Sequence, residues 1–224
     1  LARELPFTHE AGAIDRAEWI DHLQNALHFP SELSMQHFVL HHDWLARATN
    51  AYYATVHVPA LIAFMVWLFF RHRDRYPHWR NGLALLTLGC LVIRFIRVAP
   101  PRFDPELHFV DLSTRFGLGV YGPVGTGVSD QFAAMPSIHV GWAAVVALGI
   151  FFSTTSRWRW LFVLHLPVTI FVVAACGHHW WLDGIVALAL LGGGLWLDTL
   201  VRNARAKARA AKAERAPAVA SVTA

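Results

Sequence analysis

The chain has 224 residues, 55% of them hydrophobic and 15% charged, with a mean hydropathy of +0.39. That balance excludes an ordinary soluble domain and fits an all-α, polytopic membrane protein, to which ten Trp add interfacial anchors. The net charge of +4 is local: Arg202–Arg215 holds six Lys or Arg against one Glu, which suits anionic lipid headgroups and argues against nucleic acid.

The start shows no cleavable signal peptide, and opening on Leu1 leaves room for a sixth helix upstream. Asp15–Phe29 places Trp19, Ile20, Leu23 and Leu27 at helical spacing among polar residues, which predicts an amphipathic helix lying in the membrane interface. Spanning the hydrocarbon layer takes roughly 20 apolar helical residues. Five segments are predicted to do so: Ala54–Phe70, Gly82–Ala99, Pro136–Phe152, Trp160–Cys176 and Trp181–Leu200. Cys90 and Cys176 fall inside these runs and read as small core residues rather than a disulfide. The segment 100–135 is rich in Pro and Gly and too polar to span. Its Gly122, Gly125 and Gly127 read as turn residues, because no helix start or Lys follows at the spacing of a phosphate loop. Residues 216–224 are small and featureless. The expected organisation is an N-terminal interfacial part (1–49), a transmembrane catalytic part (50–201) and a basic cytoplasmic tail (202–224).

Positive charges set the orientation. Arg71, Arg73, Arg75 and Arg80 lie after the first predicted span, Arg157 and Arg159 after the third, and the tail after the fifth. With five spans these share the cytoplasmic side. The loop 100–135, the start of the third span and the junction "CGHHWW" then face outward.

Three clusters that play no part in that topology land on the outer face. "RFIRVAPPRF" (94–103) closes the second span, "PSIH" (136–139) opens the third, and "GHHWWLD" (177–183) opens the fifth. His179 and Asp183 are four apart, hence stacked on one helical face. Such a carboxylate holds one ring nitrogen and leaves the other free to attack. A second histidine, His139, can protonate a leaving group. Arg94, Arg97 and Arg102 offer forked donors to phosphate oxygens, and a helix start at Ser137 and Ile138 offers backbone amides. The constellation describes phosphoryl transfer on a lipid without a metal or other cofactor. His178 is a candidate pocket wall. His57 and His165 join no motif and read as structural, as does Asp198 at the far end of the fifth span.

Pro136, Ser137 and His139 match the P-S-G-H motif of the type 2 phosphatidic acid phosphatase superfamily, with Ile138 in place of its Gly, which keeps the backbone N–H but changes the space beside the phosphate, and His179 and Asp183 match its H-x-x-x-D. Gln131–Trp142 and His179–Asp183 are similar to the stretches "QFAAMPSLHVGW" and "HYWLD" of inositol phosphorylceramide synthases and their actinobacterial relatives. The resemblance covers about residues 50–200. It implies that His179 forms a phosphohistidine, that Asp183 orients it and that His139 is the general acid. The superfamily's first motif, K-x6-R-P, is absent, with Arg102 of "PPR" in its place. The Ser-Arg pair of the third motif falls on Val172 and Val173, and Arg94 and Arg97 are the residues of this chain that can compensate for its charge, which the family pattern does not itself imply.

Two other classes compete. "HFVLHH" (37–42) has the H-x3-H-H spacing of membrane di-iron oxygenases, but such a centre needs several clusters on one face. A non-catalytic scaffold or transporter is the other. Within the phosphoryl-transfer reading, hydrolysis of a lipid phosphate of the phosphatidic acid or polyprenyl phosphate type is favoured over transfer to an alcohol. A transferase needs a shaped acceptor pocket that keeps water out, and only the loop 103–131, with Asp104, Glu106, Asp111 and Ser113 to hold a polyol, is long enough to build one. Oligomeric state is not legible.

Overall fold

The computed structural model describes residues 12–117 and 132–215, and it has no strand among them beyond one parallel bridge between Val98 and Ala133. The Gly122, Gly125 and Gly127 turns, Gln131 and the end 216–224 lie outside the described residues. In chain order the helices are α1 (Ala13–Ala26), α2 (Glu32–Leu40), α3 (Asp43–Thr55), α4 (His57–Arg71) and α5 (Tyr76–Ile93). After a 3-10 turn at Pro101–Phe103 come α6 (Leu112–Phe116), α7 (Ile138–Ser153), α8 (Arg159–Val163), α9 (His165–Ala175) and α10 (Trp181–Arg215).

Helices α4, α5, α7 and α10 share one core, built by Phe64, Leu68, Leu86, Val145, Ile150 and Leu191. The most extensive helix contact is α5 against α10, and glycines permit it. A Cβ on Gly82 would sit 2.4 Å from Leu195 Cδ2, and one on Gly194 would sit 3.0 Å from Leu85 Cβ. Small residues at such contacts let helix backbones pack closely where lipid removes the hydrophobic drive. A second core joins α2, α3 and α9 to the top of α7 through Val39, Tyr53, Val140, Val172 and Val173.

α3 and α4 meet at Val56 with a bend of 49°. Pro59 gives the physical reason: it has no N–H for the Thr55 carbonyl four residues back, and its ring crowds that turn. The bend leaves Tyr53 and His57, on either side of it, both buried.

Helix length supports fewer spans than hydropathy suggested. Among the described residues Trp181–Ala213 alone is long and apolar enough to cross a bilayer, and α3 and α4 qualify together if the bent pair is one span. α7 and the α8–α9 stretch are apolar but shorter. The surface is nonetheless apolar over wide areas. Val58, Ile62, Val66 and Phe70 are exposed along α4, Leu88, Leu91, Val92 and Phe95 at the end of α5, and Trp196, Leu197 and Leu200 on α10. Exposed apolar surface on this scale marks a membrane or protein contact.

Three sequence expectations change. α1 forms close to its predicted position and also docks on the protein: Ala13, Ala17 and Ile20 are buried against Val98, Ala99 and Trp180, while Trp19 and Leu27 face outward. The basic tail is not separate from the last span, because α10 runs unbroken to Arg215 on an Ala, Arg and Lys composition that favours helix. Asp198 is buried rather than interfacial, accepting from His78 Nδ1 at 2.7 Å and Asn81 Nδ2 at 2.6 Å and so tying α10 to the start of α5.

Candidate active site

The junction between α9 and α10 presents the histidines. α9 ends in a Schellman turn: the Gly177 N–H donates to the Ala174 carbonyl at 2.8 Å and the His178 N–H to the Val173 carbonyl at 3.1 Å. Gly177 has φ +65°, and a Cβ there would also meet Phe109 at 2.8 Å, so only glycine fits. Four residues after Gly177, at Trp181, α10 starts. Asp183 Oδ2 accepts from the Trp180 N–H at 2.8 Å, reaching back from the third helical position as the acidic half of a capping box does. His179 therefore precedes the helix, and its pairing with Asp183 comes from this cap rather than from stacking on a helical face.

His179 is buried and its tautomer follows from its partners. Nδ1 lies 2.8 Å from the Ala134 carbonyl, which can only accept, and 3.3 Å from Asp183 Oδ2. Nδ1 thus carries the hydrogen, and Nε2 carries the lone pair, with His139 as its partner. It points at His139 Nδ1, 3.3 Å away. The sequence expected the carboxylate alone to hold the ring; the backbone carbonyl is the shorter contact.

His139 stands on the first turn of α7, which Ser137 caps by accepting from the Val140 N–H at 3.4 Å. The Ser137 N–H donates to the Asp183 carbonyl at 3.1 Å, locking the starts of α7 and α10 together. The fully buried Ser137 is therefore engaged at both its amide and its hydroxyl, and the Ile138 and His139 amides lead the helix in its place.

A cavity of about 390 Å³ opens beside these residues. His139, His179, Ile138, Arg94, Tyr53 and His57 line it, with Val58, Leu91 and Trp142 as apolar wall. Of the arginines proposed for phosphate, only Arg94 reaches this wall; Arg97 and Arg102 do not line it. Arg102 donates to His178 Nδ1, lies over the Phe103 ring at 4.6 Å, and its backbone N–H bonds to the Gly177 carbonyl at 3.1 Å. His178 is stacked under Tyr53, with ring centroids 4.2 Å apart, and stands behind the cavity. Burial, then the Arg102 charge, holds the His178 imidazole well below its ordinary pKa, so it is the neutral acceptor of that bond.

The carboxylates proposed to hold a polyol are engaged locally. Asp111 caps α6, accepting from the Ser113 N–H at 2.9 Å and the Ser113 hydroxyl at 2.6 Å. Burial works against its ionisation, but these donors and the Arg102 charge hold Asp111 below the usual carboxylate range. Asp104 accepts from the Glu106 N–H at 2.9 Å. Among the described residues no three His, Cys, Asp or Glu converge as a metal site; in the 37–42 cluster the His41 ring bonds to the His37 carbonyl at 2.7 Å.

Several contributors carried no sequence signal. His57 and Tyr53 reach the cavity only because of the bend at Val56. Gln24 and Glu32, polar residues in amphipathic helices, satisfy the orphan amides that begin α10. Glu32 Oε1 accepts from Trp181 N–H at 3.3 Å and Gln24 Nε2 at 2.8 Å, and Gln24 Oε1 accepts from Leu182 N–H at 3.0 Å. Burial pushes the Glu32 carboxyl above its ordinary pKa despite these donors. Gln36 bridges the Ala175 carbonyl and both polar groups of the Val110 backbone, fixing the loop before α6 to the end of α9.

An imidazole whose Nε2 carries the lone pair, a second imidazole facing it and an arginine at the cavity wall make a constellation suited to acid-assisted phosphoryl transfer in an all-helical protein. The chain belongs to the PAP2 superfamily, whose profile matches residues 18–197. Membership brings a phosphatase-type or phosphotransferase-type activity and a frequent association with membranes. No curated protein and no solved structure matches the chain.

Proposed function

We propose that the protein is a multi-pass membrane lipid phosphatase, with its active site on the extracytoplasmic face. It cleaves a phosphate ester or anhydride of a lipid of the phosphatidic acid or polyprenyl phosphate type through a phosphohistidine on His179. The observation that carries this reading is the His179 tautomer: the Ala134 carbonyl fixes the hydrogen on Nδ1, so Nε2 faces the cavity and His139 as a nucleophile. The exposed apolar belt around α4, α5 and α10 supports a membrane setting, with the shorter helices crossing in company. The cavity wall is continuous with that belt, since Val58 and Leu91 line the one and are exposed on the other. A lipid chain resting there brings its phosphate past Arg94 to the histidines.

In the first half-reaction the His179 Nε2 lone pair forms a bond to phosphorus as the bond from phosphorus to the leaving oxygen breaks. Protonated His139 gives its proton to that oxygen, the phosphate's charge favouring the protonated ring. Arg94 and the α7 amides stabilise the phosphoryl oxygens. A gap of 3.3 Å between the two ring nitrogens cannot admit phosphorus with nucleophile and leaving oxygen in line, so the rings part when substrate binds. His179 is held by two acceptors, so His139 is the ring that moves. In the second half-reaction water attacks, His139 takes its proton, and the electron pair of the P–N bond returns to His179.

Hydrolysis is preferred to transfer because Asp104, Asp111 and Ser113 are engaged in local turns and caps instead of lining the cavity. The test is a panel of lipid phosphates given to purified protein with and without inositol, glycerol or a ceramide-like lipid. Phosphate release that is independent of added alcohol and lost in His179→Ala supports the phosphatase. Turnover that requires an alcohol and moves the label to a new lipid makes it a transferase, and activity retained in His179→Ala refutes the site.

A further inference from the structure

His57 is a buried imidazole that the motifs do not account for. It is 3% exposed, and neither Nδ1 nor Nε2 has a hydrogen-bond partner. Leaving two polar atoms unpaired in an apolar setting costs free energy, and a site that keeps them so has a ligand to pair them with. His57 lines the same cavity as His139 and His179. Its ring centroid lies 5.0 Å from that of His139, which in turn lies 5.5 Å from His179. Tyr52 and Tyr53 meet His57 edge-on at 5.5 and 5.9 Å and hold its ring plane. His139 thus neighbours both His179 and His57.

In-line displacement at phosphorus puts the leaving oxygen, and later the attacking oxygen, on the side of the phosphoryl group away from His179. A group that meets that oxygen must line the same cavity and have a ring nitrogen to offer, and His57 satisfies both. We propose that His57 is a positioning residue for the acceptor, hydrogen-bonding the water or alcohol hydroxyl that breaks the phosphohistidine; this rests on the phosphohistidine reading above. As the acceptor oxygen bonds to phosphorus, His139 takes the hydroxyl proton and the P–N electron pair returns to His179 Nε2; His57 gains and loses nothing. The lipid leaving group passes through the same place but is anchored by its chain, whereas water has no other anchor. Loss of His57 therefore falls mainly on breakdown of the intermediate.

The experiment compares wild type, His57→Leu and His57→Asn in single-turnover reactions with radiolabelled lipid phosphate, quenched in alkali, alongside their melting temperatures. The expected result is a His57→Leu enzyme that labels at the wild-type rate, accumulates phosphoenzyme because breakdown slows by about tenfold or more, and melts no lower than wild type because two unpaired buried nitrogens are gone. His57→Asn, which keeps one hydrogen-bonding group, falls between. Breakdown at the wild-type rate in His57→Leu overturns the proposal. So does an equal slowing of labelling and breakdown with a lowered melting temperature, which is the behaviour of a structural residue. If wild type itself forms no phosphoenzyme, the covalent reading falls and this role of His57 falls with it.

Discussion

Asp183→Asn separates the two jobs of that carboxylate. Asp183 Oδ2 accepts from the Trp180 amide at 2.8 Å and lies 3.3 Å from His179 Nδ1, while the Ala134 carbonyl takes the same ring hydrogen at 2.8 Å. Asparagine keeps an oxygen for the amide, so the cap survives, and Ala134 keeps the tautomer. What disappears is the negative charge beside a ring that, on the proposed mechanism, becomes cationic when it is phosphorylated. A hydrogen bond to a charged group contributes about 1.5–3 kcal/mol. At roughly 1.4 kcal/mol per factor of ten, phosphoenzyme formation slows on the order of ten- to a hundredfold. Rapid-quench labelling under single-turnover conditions reads this directly, with melting temperature unchanged. Asp183→Ala loses the cap as well, and about 1 kcal/mol of stability with it. An Asp183→Asn enzyme as inactive as His179→Ala would refute the reasoning, because it would mean that Ala134 does not hold the nucleophile. Wild-type labelling would refute it from the other side.

His139→Ala loses ~10²–10⁴-fold in kcat on a lipid phosphate, and much less on an aryl phosphate whose leaving oxygen needs no proton; equal losses on both substrates contradict an acid role. Arg94→Ala raises KM with a smaller effect on melting temperature, whereas Arg102→Ala, which unpacks His178 from behind Tyr53, lowers melting temperature first. Glu32 has a folded-state pKa raised above its ordinary 4.5, so its contribution to stability is full below that value and is lost as pH rises through the raised one. Measured as melting temperature against pH, wild type therefore loses stability relative to Glu32→Gln across that window, and parallel curves count against the burial of Glu32. Both native cysteines are buried, so introduced ones report topology: Glu106→Cys labels with an impermeant thiol reagent in intact cells and Asp74→Cys does not. The reverse pattern places the site in the cytoplasm.

That His139, His179 and Asp183 come together is legible because they lie in short contiguous motifs whose local turns also position them. Helix positions followed from apolar runs, since α4, α7 and α9 each begin within five residues of the predicted span. What the sequence hid came from tertiary placement. His57 resembles any buried histidine until Pro59 bends the chain and turns it toward the cavity. Gln24, Glu32 and Gln36 occupy positions that helical periodicity assigns to solvent, yet they meet the unpaired backbone groups at helix ends, which pattern does not reveal. Asp198 reads as interfacial until His78 and Asn81 are brought against it by the close α5–α10 contact. Arg102, in a loop after two prolines, reads as a phosphate ligand, and the structure gives its guanidinium to His178 instead.

The measurement closest to the central claim is the location of the labelled phosphoryl group after an alkaline quench, read by tandem mass spectrometry of the digested enzyme. The expected result is an acid-labile, alkali-stable phosphoryl group on His179, formed faster than product appears and absent from His179→Ala. A label on any other residue, or complete turnover with no labelled enzyme under single-turnover conditions, contradicts it.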